Sequence, residues 1–424
     1  MRVNLYKNII NNKLWNKLHN YNQVIKNTGW LFLIQVANYI FPIVTLPYMM
    51  RVLGTENYGM IVFAQAIMQY VNVISDYGFN LTATREIAIY RRKRKLVKEL
   101  FNDVLICKLY IMTLCFIILV IVEMCIPLTN SDRIFYLVSF LLVVGNVIFP
   151  IWFFQGIEQM KYITFINLVA RMISMCLLFV LVKNSSDYLI AIAIQGIGGV
   201  ISGVLALILI YNKFGIYVYR WPKWERIIYL LKDGKEVFIS NACGNIYGQG
   251  ATLLTGIIAG NTAAAYYSLG QKISAMVVSV VQPIAQAVYP YLCQLFLQKE
   301  QQFYSMRKQI LTGGIILGSI LAICLFFLAK YVSYVITGKM DEELIWVIKL
   351  FSIVTMGTIL NVLLHPMILA MKKYASIQKI YVSIAVLFIF VSLPLVHFYG
   401  SYGMSVALIM VEFYIFVRYM LLIF

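Results

Sequence analysis

Apolar stretches of about twenty residues alternate with short polar segments from residue 28 to the end of the chain, and a helix needs about that length to cross the hydrocarbon core of a bilayer. Twelve such runs can be drawn, at 28–50, 57–80, 100–126, 134–155, 162–182, 188–211, 237–259, 264–296, 309–329, 344–371, 375–396 and 402–424. The pattern predicts an all-α, polytopic membrane protein with about twelve transmembrane helices.

Within that pattern one phrase recurs. "GTENYGMIVFAQAI" begins at Gly54 and "GNTAAAYYSLGQKI" at Gly260, so glycine, glutamine (Gln65, Gln271) and isoleucine return at a constant offset of 206 residues. Each segment passes from a turn into an apolar run at the second span of its half. The chain therefore divides into a tail (1–27), a six-helix lobe (28–211), a basic linker (212–236) and a second six-helix lobe (237–424). Six spans per half give both lobes the same orientation in the membrane, as in transporters built from parallel repeats. Carried backward, the offset sets Pro42 on Gly248. "NYIFPIVTLP" and "NACGNIYGQG" are both rich in helix breakers, which makes Pro42, Pro47, Gly244, Gly248 and Gly250 hinge candidates. Interrupted spans at matching positions of two halves point to a transport site. The alternative is ordinary kinking and close helix packing.

Composition agrees with the pattern: 62% of residues are hydrophobic and 12% charged, against about 25% charged in soluble domains. The net charge of +18 is not spread evenly. Of 35 Lys and Arg, 25 fall in the tail and the loops on its side, and five (Arg51, Arg133, Lys183, Lys330, Lys339) in the opposite loops. Basic loops stay cytoplasmic, so both termini are expected in the cytoplasm, with the charge facing anionic lipid rather than nucleic acid. The asparagine-rich tail lacks the apolar core of a signal peptide. It is read either as a surface helix, with Leu14, Trp15 and Leu18 toward lipid and Lys13 and Lys17 toward phosphates, or as a disordered tail. The seven cysteines form no CxxC pair and the three histidines are scattered, so no metal site is expected.

The runs "FPIVTLPYMMRVLGTENYGMIVFAQ", "DYGFNLTATREIA", "PIWFFQGIEQMKYI" and "QPIAQAVYPYL" resemble the O-antigen and capsule repeat-unit flippases. These are polysaccharide exporters of the Wzx type within the multidrug/oligosaccharidyl-lipid/polysaccharide (MOP) superfamily. The resemblance spans essentially the whole chain. It implies a bacterial cytoplasmic-membrane protein with two lobes in a MATE-like V, a polar central cavity and alternating access. It also implies a lipid-linked oligosaccharide as cargo, and a polymerase and glycosyltransferases of the same pathway as partners. None of these motifs names the sugar.

Charges inside spans are costly, about 2.5–3.5 kcal/mol each at a helix centre, and usually face a wet cavity. Arg171 and Lys272 lie deep and are candidates to hold an anionic headgroup, guanidinium matching phosphate oxygens bidentately. Arg85 is a candidate for first capture at the cytoplasmic mouth. Gln65 and Gln271 either donate to sugar hydroxyls or bridge helices. Glu412 and Asp76 are ion-coupling candidates. Glu412 could instead balance Arg171 or Lys272, and Asp76 could cap a helix or pair with Arg85. Lys108 and Lys349, nearer span ends, are expected to snorkel to headgroups.

No GxxxxGK[ST] loop occurs, so ATP is not expected to be consumed; no cofactor is expected, and a proton or sodium gradient is the candidate energy source. A multidrug exporter of the same superfamily is the nearest alternative, but it calls for more acid than base, and the spans hold five basic residues against Asp76, Glu123 and Glu412. A membrane polymerase would need a sizeable outer loop, and the longest here is "KYVSYVITGKMDEEL", with Asp341, Glu342 and Glu343 either catalytic or a solvated acidic turn.

Overall fold

Every long apolar run forms a helix, because inside lipid only a helix or a closed barrel satisfies each backbone N–H and C=O. The computed structural model describes residues 2–126, 129–298, 300–371 and 373–423. The helices are α1 (Arg2–Asp76), α2 (Phe79–Tyr90), α3 (Arg94–Cys125), α4 (Asn130–Ser139), α5 (Leu141–Ile148), α6 (Ile151–Gly156) and α7 (Met160–Leu181). After a short 3₁₀ turn follow α8 (Tyr188–Phe214), α9 (Trp224–Gly248), α10 (Gly250–Ser279), α11 (Gln282–Gln298), α12 (Glu300–Thr337), α13 (Glu342–Ala370) and α14 (Tyr374–Ile423). Side chains of the tail, Lys13, Leu14, Trp15, Lys17 and Leu18 among them, lie outside the described residues.

Among the described residues, eight helical segments are long and apolar enough to cross a membrane, or nine if the bent pair Gly250–Ser279 and Gln282–Cys293 is one span. The twelve-run reading divides Leu33–Tyr90 and Ser376–Ile423 in two and counts α9, which is too polar to be among the eight. Many apolar side chains point outward. On α3, Leu114, Ile117, Ile118 and Ile121 are each about half exposed, a surface that would aggregate in water and is at home in lipid.

The chain divides into two compact units. Unit 1 comprises Met1–Thr45, Val71–Val180 and Ala191–Phe238; unit 2 comprises Leu46–Tyr70, Leu181–Ile190 and Ile239–Phe424. In unit 1, the "WFF" of "PIWFFQG" is core: Trp152, Phe153 and Phe154 are fully buried with Phe79 and Phe101. The Phe101 ring lies 5.3 Å from Phe153 edge-on and 5.4 Å from Trp152, and Thr84 donates its hydroxyl to the Trp152 carbonyl at 3.2 Å. This cluster fixes α2 and α3 against α6, each large ring contributing about 1.5–3 kcal/mol of burial.

In unit 2, α13 is the central element and packs against α10, α11, α12 and α14; more than half of its apolar window is enclosed. Its start is set by Asp341, whose carboxylate accepts from Leu344 N at 3.2 Å as an N-cap and from Tyr266 Oη at 2.8 Å. Glu343 accepts from Ser401 Oγ at 2.9 Å. The acidic turn at Asp341–Glu343 is thus engaged in starting a helix.

Candidate functional site

The repeated phrase builds one structure twice. Gly54 inside α1 has φ 79°, ψ 169°, and Gly260 inside α10 has φ 87°, ψ 173°. That region of backbone space belongs almost only to glycine, and it breaks both helices at the same offset. In unit 2 the two copies meet. A Cβ added to Gly59 would lie 2.0 Å from the Asn261 carbonyl oxygen, so the two backbones are in direct contact. Beside this contact Lys272 Nζ donates to Tyr58 Oη at 2.9 Å and stands 5.3 Å from the Tyr58 ring centre. Gln271 donates its amide to the Gly248 carbonyl at 3.2 Å. Gln65 is half-buried in the matching place of the first copy.

Of the hinge candidates, Gly248 and Gly250 flank the junction of α9 and α10, where Gln249 keeps helical angles (φ −85°, ψ −22°). Gly244 lies inside α9, and Pro42 and Pro47 inside α1. Glycine-only backbone angles inside helices fall at Gly54 and Gly260, the opening glycines of the repeat, and at Gly400 in α14; the recurrence of the first two at one offset is a signal present in the sequence.

A cavity of about 610 Å³ opens inside unit 2 between α11, α13 and α14, its wall mostly apolar (Ala285, Val362, Leu369 and Ile415 among others) with polar side chains set into it. Its walls are marked by side-chain spacing: Gln282, Gln286 and Tyr289 on α11, Thr358, Asn361 and His365 on α13, and Glu412 and Tyr419 on α14. Steps of three, four and seven residues put each set on one helix face. Three otherwise apolar helices therefore turn polar stripes to a common space. Glu412 is buried, and its Oε2 accepts from Asn361 Nδ2 at 2.6 Å; the same amide reaches the Glu412 carbonyl at 3.1 Å. His365 Nδ1 and Tyr419 Oη are 2.9 Å apart. Apart from Glu412, these residues escaped the search for charges within spans; polar periodicity on α11 and α13 would have found them.

The remaining candidates lie in unit 1. Arg171 is half-buried on α7 and makes no hydrogen bond or ion pair among the described residues. Arg85 is exposed on α2. Asp76 takes Lys108 at 3.0 Å, not Arg85. This corrects the reading of Lys108 as a snorkelling residue: its side chain is 2% exposed, because a carboxylate within reach makes an inward ion pair available in place of a headgroup. Lys349 does cover apolar surface, its Nζ 4.4 Å from the Trp346 ring centre and 5.2 Å from that of Phe326.

Comparison with known proteins places this architecture. A family model described as "Polysaccharide biosynthesis protein" matches residues 24–296. A protein of Escherichia coli (strain K12) named "Putative O-antigen transporter" is 27% identical over 388 residues, covering 91% of this chain and 93% of that one. A protein of the same name from Shigella dysenteriae is 29% identical over 392 residues, with 91% and 96% covered. Among solved structures, one described as "Inward-facing conformation of a multidrug resistance MATE family transporter of the MOP superfamily" superposes with TM-score 0.62 at 13% identity, covering 89% of this chain and 95% of that one. That likeness is one of fold.

Proposed function

Because the chain belongs to the polysaccharide biosynthesis protein family, we propose that it is a flippase. It carries a polyprenyl-diphosphate-linked oligosaccharide repeat unit, an O-antigen or capsular glycan, from the inner to the outer leaflet of the bacterial cytoplasmic membrane by alternating access. On this reading it is a transporter and not an enzyme, with both termini cytoplasmic. The names of the two relatives, matched over nine-tenths of the chain, support the cargo class.

The observation that supports the reading is the cavity of unit 2, where amide, phenol, imidazole and carboxylate groups are set into a largely apolar wall. Hydroxyls and phosphates do not enter hydrocarbon without replacement hydrogen bonds, at a cost of several kcal/mol per group. Amide, phenol and imidazole groups on α11, α13 and α14 supply both donors and acceptors, suited to sugar hydroxyls. Such a surface lets the glycan head move through polar contacts while the polyprenyl tail remains in lipid. Among the described residues, Lys272 keeps two of its three N–H donors beyond the bond to Tyr58, and the Arg171 guanidinium has no hydrogen-bond or ion-pair partner. These are the groups assigned to the diphosphate or acidic sugars, with Arg85 as the first to meet them and Gln65 and Gln271 as helpers.

A proton or sodium gradient drives the cycle. Glu412 is the preferred coupling group, because Asp76 is already held by Lys108. The multidrug alternative is disfavoured by the same pair, which neutralises one of the few acids available to attract a cationic drug.

The test is genetic. Deleting the gene, in a strain with no second copy, should remove surface glycan and leave lipid-linked repeat units in the inner leaflet. Normal surface glycan after deletion would overturn the proposal.

A further inference from the structure

We propose that a second pocket, in unit 1, is a loading site for a prenyl-linked glycosyl diphosphate, engaged before translocation; the inference rests on the transport reading above.

The pocket has a volume of about 570 Å³ and lies between the α2–α3 turn and the segment leading into α9, beside the basic stretches that orient the chain. Its wall is held in place. Asn102, buried on α3, accepts from Tyr219 N at 3.0 Å and Arg220 N at 3.3 Å, and donates to the Arg220 carbonyl at 2.9 Å. Next to it Asp103 holds Arg226 Nε at 3.5 Å, and Arg226 in turn covers the Tyr229 ring at 4.9 Å. A polar side chain committed to three backbone groups of an extended strap makes a fixed surface from what would otherwise be a loose connection.

The charged lining that remains carries both signs, with Arg220 lying 5.5 Å over the Tyr219 ring. Glu86 and Glu99 on one side, and Arg220 and Lys223 on the other, form no ion pair among the described residues, although all four line the same space. Charges placed to stabilise the fold would meet each other. Kept apart around a cavity, they fit a ligand with hydrogen-bond donors at one end and anionic oxygens at the other. Tyr90 and Trp221 add ring faces. Sugar hydroxyls donate to carboxylates, pyranose C–H faces lie on aromatic rings, and phosphates take Arg and Lys. Nucleic acid would be repelled by the carboxylates, and a lipophilic cation by the arginine and lysine.

The route to lipid identifies the prenyl link. The Trp221 ring lies 5.7 Å from that of Tyr110, and Tyr110 starts an exposed stripe on α3 that continues through Leu114, Ile117, Ile118 and Ile121. Spaced by three and four residues, these share one helix face. The pocket rim therefore runs directly into a lipid-facing apolar track, along which a tail can lie while its head occupies the pocket.

The test uses the full-length protein in nanodiscs, with binding read by microscale thermophoresis. The probes are farnesyl diphosphate, farnesyl diphosphate-linked N-acetylglucosamine and inorganic diphosphate. Wild type should bind both farnesyl probes, the sugar-bearing one more tightly, and inorganic diphosphate about tenfold more weakly than farnesyl diphosphate. Arg220→Gln with Lys223→Gln should weaken both farnesyl probes about tenfold. Glu86→Gln with Glu99→Gln, or Trp221→Leu, should weaken only the sugar-bearing one, by about fivefold. Thermal melting of each variant within a few degrees of wild type shows that the fold is kept.

Failure of wild type to bind farnesyl diphosphate, or affinities unchanged within about twofold in all variants, overturns the loading site. Inorganic diphosphate binding as tightly as farnesyl diphosphate would make the pocket a soluble-phosphate site and overturn the lipid link. These outcomes leave the transport reading standing, since that is decided separately by surface glycan in the deletion strain.

Discussion

Lys272 Nζ sits 2.9 Å from Tyr58 Oη, and the two residues come from opposite copies of the repeated phrase. At the offset of 206, Lys272 corresponds to Ala66 and Tyr58 to Ala264. The backbone breaks at Gly54 and Gly260 are alike, while the polar contact between the copies exists in one direction only. The repeat thus supplies a symmetric scaffold on which one half alone carries the ammonium group.

If Lys272 serves the cargo, Lys272→Met should lower glycan export about tenfold, and Tyr58→Phe should leave it within about twofold. The measurement is surface glycan per unit of membrane-inserted protein. A lysine acting only as a structural bolt would make both substitutions lower the melting temperature equally and export equally.

The glycine breaks make a stability prediction. Gly54→Ala and Gly260→Ala put a side chain into a backbone region almost exclusive to glycine, at a cost of about 1–3 kcal/mol each. Neither position is short of room, so the loss comes from dihedral strain alone. At Gly59 the obstacle is the Asn261 carbonyl, and Gly59→Val should be the most damaging of the three in detergent melting curves.

Much of this was legible in the chain. Hydropathy marked the helices, and the offset of 206 marked the paired glycine breaks, because both depend on local periodicity and composition; the compact units draw on both halves of the chain, Leu46–Tyr70 and Leu181–Ile190 grouping with Ile239–Phe424. The opening glycines were read as turns, and their backbone angles bear that out. Lys108 was misread because a partner 32 residues away leaves no trace in local pattern. The cavity of unit 2 was overlooked for a different reason: attention to charges passes over neutral stripes such as Gln282–Gln286–Tyr289. Only packing reveals that three such stripes face one another.

The Asp76–Lys108 pair gives a sharp reversal test. Lys108→Met alone strands a nearly buried carboxylate and should cost about 3–5 kcal/mol, and adding Asp76→Leu should recover most of that loss. A double variant that melts like wild type and exports normally would remove Asp76 from ion coupling. One that melts normally but fails to export would restore it.

Glu412→Gln should fold, since a side-chain amide oxygen can still accept from Asn361. Export should fall to background if Glu412 couples the gradient. Asn361→Leu leaves the buried carboxylate without that donor and should cost about 1–3 kcal/mol in melting experiments. Full export by Glu412→Gln would exclude Glu412 as the coupling group.

The most direct measurement is made in proteoliposomes containing the purified chain and a fluorescent polyprenyl-diphosphate-linked oligosaccharide. An impermeant glycosidase, added outside, reports how much headgroup has reached the outer leaflet. The account predicts that cleavage proceeds past the outward-facing half under an imposed ion gradient and stops there when Arg171 and Lys272 are both replaced by alanine. Cleavage that halts at the outward-facing half with the wild-type protein, as in empty vesicles, would contradict it.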